Sequence, residues 1–192
     1  MNRPSSSVQT LRHAAVTLLL GLAAAAAAPG LQDDGTAGRL KEAKHKLADG
    51  IAQAEKEQGV AISAKFEVED GKLWLSVYTA KEGLGQDAEH TTLQELKGDA
   101  TVSPWKPEIE VFGDKQHLTR SAAQLTILQG SRLKLAEVIA KVQKTVKGDL
   151  YAVIPVIRDR VPVLAVKVAT PDGPTELFLD PQTGEPKAGA SK

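Results

Sequence analysis

Three observations predict an α+β chain in which two helix-plus-antiparallel-sheet repeats pack together. A stripe of apolar residues at helical spacing is followed by segments of alternating polarity, and this order occurs twice. Leu47, Ala48, Asp49, Gly50, Ile51 and Ala52 in one half match Leu135, Ala136, Glu137, Val138, Ile139 and Ala140 in the other, 88 positions further on. The strand-like segments are joined by short polar turns, of which 69–72 with its Asp70-Gly71 pair is the clearest. A tight hairpin turn needs positive φ, which Gly supplies at little cost. One such repeat buries its helix stripe and sheet face poorly alone, so two copies packed together are expected.

Residues 1–28 fit a secretory leader. Arg3 and Arg12 make a basic start with no acidic residue, and 14–28 is apolar or small, with Leu18, Leu19, Leu20 and Leu22 at its centre. That stretch falls short of the roughly 20 residues that span a bilayer as a helix. An Ala-x-Ala site is available at Ala25 and Ala27. A polar linker at 29–38 is expected to be flexible. From Arg39 a helical stripe runs through Leu40, Ala43, Leu47, Ile51 and Ala54, and Gly59 stops it. Strands follow at 62–68 and 73–77, each with its apolar residues on one face, and a third is expected at 91–96. This first repeat spans 39–97.

A connecting segment, 98–130, holds Trp105 between Pro104 and Pro107, a short strand-like stretch at 108–112, and helical spacing at Leu118, Ala122, Leu125 and Leu128. The second repeat spans 131–186. Leu135, Ile139, Val142 and Val146 form its stripe, Gly148 ends it, and strands are expected at 150–157, 161–170 and 175–179. Residues 187–192 read as a disordered tail.

The Leu-Ala-Glu-x-Ile-Ala run at 135–140, Gly148, two strands separated by a charged turn, and a final strand closing on Asp180-Pro181-Gln182-Thr183-Gly184 resemble a PepSY domain. The first half resembles it less closely and lacks the closing Asp-x-x-Thr-Gly, with Gly98-Asp99-Ala100-Thr101 standing nearby. PepSY domains recur in bacterial envelope and secreted proteins, and some are proposed to inhibit or regulate peptidases. The resemblance therefore implies a tandem, exported, non-catalytic module that regulates a protein partner, with a peptidase among the candidates, in the periplasm or outside the cell. It carries over no catalytic residue.

Composition narrows the alternatives. Lys and Arg number 24, as do Asp and Glu, and the leader holds two of the basic residues, so the remainder carries a net charge of −2 without a charged block. Nucleic acid is a poor partner for such a chain, and no stable membrane insertion is expected once the leader is gone. There is no cysteine, hence no disulfide and no thiolate metal site. The histidines beyond the leader are His45, His90 and His117; Asp87 with His90, and His45 with Asp49, are at most fragments of a metal site, which needs three or four ligands. The 180–184 turn has too few carboxylates for a calcium loop and reads as an Asx turn. No Gly-x-Ser-x-Gly elbow occurs, and Ser63 and Ser76 lie within expected strands. Glu67 and Glu69 share a strand face and read as a solvated surface, not a catalytic pair. No cofactor is expected, and the chain is not expected to be an enzyme.

Two features bear on binding. Trp74 and Tyr78 fall on the strand face opposite Leu73, Leu75 and Val77 and are either an exposed stripe or covered by the Trp105 segment or the other repeat; with Trp105 and Tyr151 they make up the candidate partner-binding residues. The strands at 150–157 and 161–170 are apolar on both faces, so both faces must be covered, by the chain itself or by a partner. Pro155 and Pro162 lack a ladder N–H and are expected at an edge or bulge. A small-ligand or metal-binding envelope sensor is the alternative to a protein-binding module.

Overall fold

A computed structural model describes residues 35–187. The leader, residues 29–34 and the end of the expected tail, 188–192, lie outside the described residues. The chain forms helices α1 (Thr36–Arg39), α2 (Leu47–Gln58), α3 (Lys115–Gln129) and α4 (Leu135–Thr145), with a 3-10 turn at Leu40–Glu42. Its strands are β1 (Val60–Glu69), β2 (Lys72–Ala80), β3 (Leu93–Asp99), β4 (Glu108–Val111), β5 (Asp149–Arg158), β6 (Val161–Thr170) and β7 (Gly173–Leu179). The strands make one antiparallel sheet in the order β4-β3-β2-β1-β5-β6-β7. The architecture is α+β, as the sequence predicts. Among the described residues no helix is long and apolar enough to cross a membrane.

Helices α2 and α4 lie against one face. A Cβ built on Gly50 of α2 would meet the Leu75 side chain at 2.6 Å, so the Leu73, Leu75 and Val77 face is the one that α2 covers. Leu47, Ile51, Leu135, Ile139, Leu75, Val153, Leu164 and Val166 fill this layer and are almost wholly buried. Helix α3 packs on the opposite face, over β1, β3 and β5. The connecting segment thus supplies a second cover for β5, one of the two doubly apolar strands.

The same local devices occur in both halves. The Asp49 carboxylate accepts the Lys46 N–H at 2.9 Å to open α2, and Glu137 accepts that of Lys134 at 2.8 Å to open α4, each one half of a capping box. Gly59 and Gly148 follow the helices with φ of 90° and 147°, and a Cβ on either would sit 2.4 Å from a strand carbonyl, of Ala80 and Ala169 respectively. Each first strand carries one bulge, between Ala61 and Ser63 in β1 and between Leu150 and Ala152 in β5. Both hairpins turn on two residues of positive φ, Asp70-Gly71 and Asp159-Arg160.

Several expectations are corrected. The first helix does not run from Arg39: the backbone is extended at Ala43 and Lys46, the Lys44 N–H is taken by the Ala100 carbonyl at 2.8 Å, and Asp49 starts a new helix. The linker ends at Gly35, because Thr36–Arg39 is helical and Thr36 is buried. The third strand of the first half lies two to three residues later than expected, at Leu93–Asp99, since Thr91 and Thr92 are held by the Glu82 carboxylate. Lys187 is bonded to the Phe178 carbonyl at 2.8 Å. Pro155 and Pro162 stand in interior strands, but at local edges. The β1–β5 ladder ends at Val153, and the β6–β7 ladder begins at Leu164, so neither missing N–H faces a paired neighbour beyond the β5–β6 hairpin.

Gly59→Ala and Gly148→Ala are each expected to destabilise the fold by about 1–3 kcal/mol, since a methyl would have to displace backbone at a positive φ. Gly85→Ala, whose Cβ would meet nothing within 4 Å, should stay within about 0.5 kcal/mol of the parent. Urea unfolding of the three variants measures this.

Candidate functional site: a groove between α3 and the sheet

Antiparallel pairing joins the two halves through only two residue pairs, Ala64 with Val153 and Lys65 with Ala152. Beyond Val153, β5 keeps β6 on one side and has no strand on the other. Helix α3 crosses above this divergence without filling it. The result is a groove of about 420 Å³ whose apolar lining is Ala123, Ile127, Ile154, Pro155, Val156 and Ile157. Its polar lining is Ser63, Lys65, Tyr78, Arg120 and Gln124. The volume lies within the usual range for ligand pockets. Past the groove the β5–β6 hairpin projects as a ribbon, with Ile157 65% and Val161 38% exposed.

Helix α3 is set by the Asp114 carboxylate, which accepts the N–H groups of Gln116 and His117 at 2.9 and 3.0 Å. Those bonds hold its carboxyl below the usual range. Phe112 locks this end, edge-on to Tyr78 and stacked on His117 with both centroid distances 5.1 Å. The buried face of α3 runs through Ser121, Gln124, Leu125 and Leu128, whereas Leu118 is 38% exposed. The stripe expected from Leu118 and Ala122 is therefore rotated toward two polar residues. The Gln124 Oε1 is buried and has no hydrogen-bond partner. A lone buried acceptor is costly, about 1–3 kcal/mol, and it sits in a side chain that lines the groove.

The first half of the same face is a charge network. Glu67 accepts from Lys65 and, at 2.9 Å, from Ser76, while Lys97 pairs with Glu69 and approaches Glu67 at 3.5 Å. Burial works to raise the Glu67 carboxyl, but Lys65, Ser76 and Lys97 together hold it below its ordinary value. Glu95 goes the other way. It is 8% exposed, and burial, reinforced by the Glu67 charge, pushes it up. Burial, Glu95 and Glu67 push the Tyr78 hydroxyl up to about 12, so it stays protonated. Two carboxyls with opposed shifts are the raw material of acid–base chemistry, yet neither lines the groove.

The four aromatic residues singled out in the sequence do not form one surface. Tyr78, Trp105 and Tyr151 are 5%, 3% and 4% exposed, so they belong to the core and form no exposed aromatic stripe. Tyr78 is the floor of the groove. Trp105 lies against Gly98 on the opposite face, its carbonyl accepting from Gln53 of α2 at 3.3 Å, so it does not cover Trp74. Tyr151 is the residue passed over by the β5 bulge. Trp74 is half-buried beside the β1–β2 turn, with the Lys97 and Lys72 ammonium groups 5.6 and 5.9 Å from its ring.

The remaining motifs resolve as structural. The Asp180 carboxylate accepts the Gln182 and Thr183 N–H groups at 2.8 and 3.2 Å, the Asx geometry expected. The Pro181 carbonyl then accepts from Ser131 and the Thr183 carbonyl from Lys141, pinning the turn to α4 and the segment that leads into it. Asp99 does the same for Thr101 in the first half. His90 and His117 share hydrogen bonds with Asp87 and Asp114 at 2.7 and 2.6 Å, and His45 bonds the Val102 carbonyl at 2.7 Å. Among the described residues no three His, Cys, Asp or Glu side chains gather as a metal site. A second cleft, of about 500 Å³, lies near the start of α2 and carries Lys41, Lys44 and Lys46. These lysines are exposed, and Asp49, which also lines it, already holds the Lys46 N–H.

What sequence reading missed is α3's share of the site, Arg120, Gln124 and Ile127. Its only signal was a glutamine on the inner side of an otherwise apolar stripe.

Because folded Glu95 holds its proton more tightly than the unfolded chain does, stability is lost as the pH rises through its raised value. Glu95→Gln is expected to melt above the parent at pH 7, with the gap closing toward about pH 4; equal melting at both would contradict this reading. Comparison with protein-family models, with curated proteins and with solved structures returns no match.

Proposed function

We propose that this chain is an exported, non-catalytic binding module, built from two PepSY-like repeats, that engages a protein partner of the bacterial envelope, a peptidase among the candidates. Its working surface is the α3 groove and the projecting β5–β6 ribbon. The observation that carries the proposal is the exposed apolar edge of that ribbon. Ile157 is 65% exposed and lines the mouth of an apolar groove, and exposed apolar surface beside such a groove marks an interaction site. The repeat reading is supported by the paired helix-opening carboxylates, the paired glycines against Ala80 and Ala169, and the paired bulges. The Asx turns after β3 and β7 agree with it. The ion-paired Glu67 network argues for a structural role of the charged face over catalysis.

A second reading, a sensor for a small apolar ligand, draws on the groove's volume. It would appear as a thermal shift with the ligand, which stabilises the native state by mass action.

The test is capture from envelope extract with the tagged chain and with Ile157→Asp. Ile157 touches little in the free protein, so the variant should melt within about 2 °C of the parent. Its capture of the same protein should fall at least about tenfold, since burying an isoleucine contributes roughly 1.5–3 kcal/mol. Undiminished capture would move the site elsewhere on the molecule.

A further inference from the structure

We infer that the open edge of β5, from Ile154 to Ile157, takes an extended apolar peptide segment of the partner as an added strand. This deepens the binding-module reading and rests on it.

Three observations specify the occupant. From Ile154 onward β5 is paired with β6 (Ile154 with Ala165, Pro155 with Leu164, Val156 with Val163, Ile157 with Pro162) and has no strand on its β1 side. In the register of the Asp159-Arg160 turn, Ile154 and Val156 direct their N–H and C=O groups to β6, so the open side presents the Pro155 carbonyl and the Ile157 N–H and carbonyl, a short edge that an extended peptide matches with alternate side chains entering pockets. Beside that edge lies the apolar lining of Ile127, Ile154 and Val156, sized for such side chains. Above it, the buried Gln124 Oε1 lacks a donor. A peptide N–H supplies one, whereas an ionised fatty carboxylate supplies none. Peptide is therefore favoured over a lipid-like amphiphile. Pro155 interrupts the edge, which limits pairing to a short segment and guards against open-ended strand addition. Arg120 at the rim and the exposed Arg160 on the ribbon favour acidic residues flanking the apolar core of the peptide, whereas Arg158 is already packed on the Phe178 ring.

The probe is acetyl-Glu-Val-Leu-Val-Glu-amide, titrated into the isotope-labelled chain and followed by amide chemical shifts. The controls are the same peptide N-methylated at Leu and the second Val, and laurate. Shifts are expected at Ile154, Val156, Ile157 and the Gln124 side-chain amide. The N-methylated peptide should bind at least about tenfold more weakly, and laurate should leave these signals unmoved. Gln124→Leu should keep the fold and weaken the peptide by about fivefold, the worth of one hydrogen bond. Equal binding of the N-methylated peptide, shifts elsewhere only, displacement by laurate, or concentration-dependent shifts without peptide (a second copy on the edge) would each overturn the inference. A partner captured from extract that this peptide fails to displace would leave the module reading standing and remove the strand-addition inference. Peptide binding with no captured partner would do the reverse.

Discussion

Two residue pairs, Ala64 with Val153 and Lys65 with Ala152, join a four-stranded ribbon and a three-stranded one into a single sheet. Most of what is distinctive in the molecule follows from how short that seam is. A bulge stands at each end of it, at Ile62 in β1 and at Tyr151 in β5, and bulges strengthen the local twist. Pro155 adds a residue that could not have extended the ladder with an N–H. Where the strands separate, apolar side chains that a longer ladder would have packed between neighbours are left facing a gap.

Helix α3 answers that gap incompletely. Leu125 and Leu128 are buried by the sheet, but Ser121 and Gln124 come inward with them, and Ile154 and Val156 stay partly open. On the other side of the seam the same face is polar, and the burial of Glu95 beside Glu67 is tolerated because Ser76, Lys65 and Lys97 distribute the charge. One face of the sheet thus divides at the seam into a self-satisfied charged half and an unsatisfied apolar half. The binding proposal lives on the second.

Much of the fold was legible in the residues. The stripes Leu47, Ile51, Ala54 and Leu135, Ile139, Val142 are the buried faces of α2 and α4, and Asp70-Gly71 is the turn its φ values require. The doubly apolar pattern of β5 and β6 correctly demanded a second cover. What could not be read was set by tertiary partners. The break at Ala43–Lys46 depends on the distant Ala100 carbonyl, and Trp105, in a loop, folds back over Gly98 on the Leu75 face while Trp74 lies on the other. The groove required knowing that β1 and β5 pair over two residues, a length that no local pattern encodes, and that Gln124 faces in.

The most direct measurement is the pattern of cross-strand nuclear Overhauser contacts between β1 and β5. Contacts linking Ala64 with Val153 and Lys65 with Ala152, and none from Ala61 or Ile62 to Pro155 or Val156, are what this account requires. A ladder that continued through Pro155 would close the edge of β5, and with it the groove on which the functional reading stands.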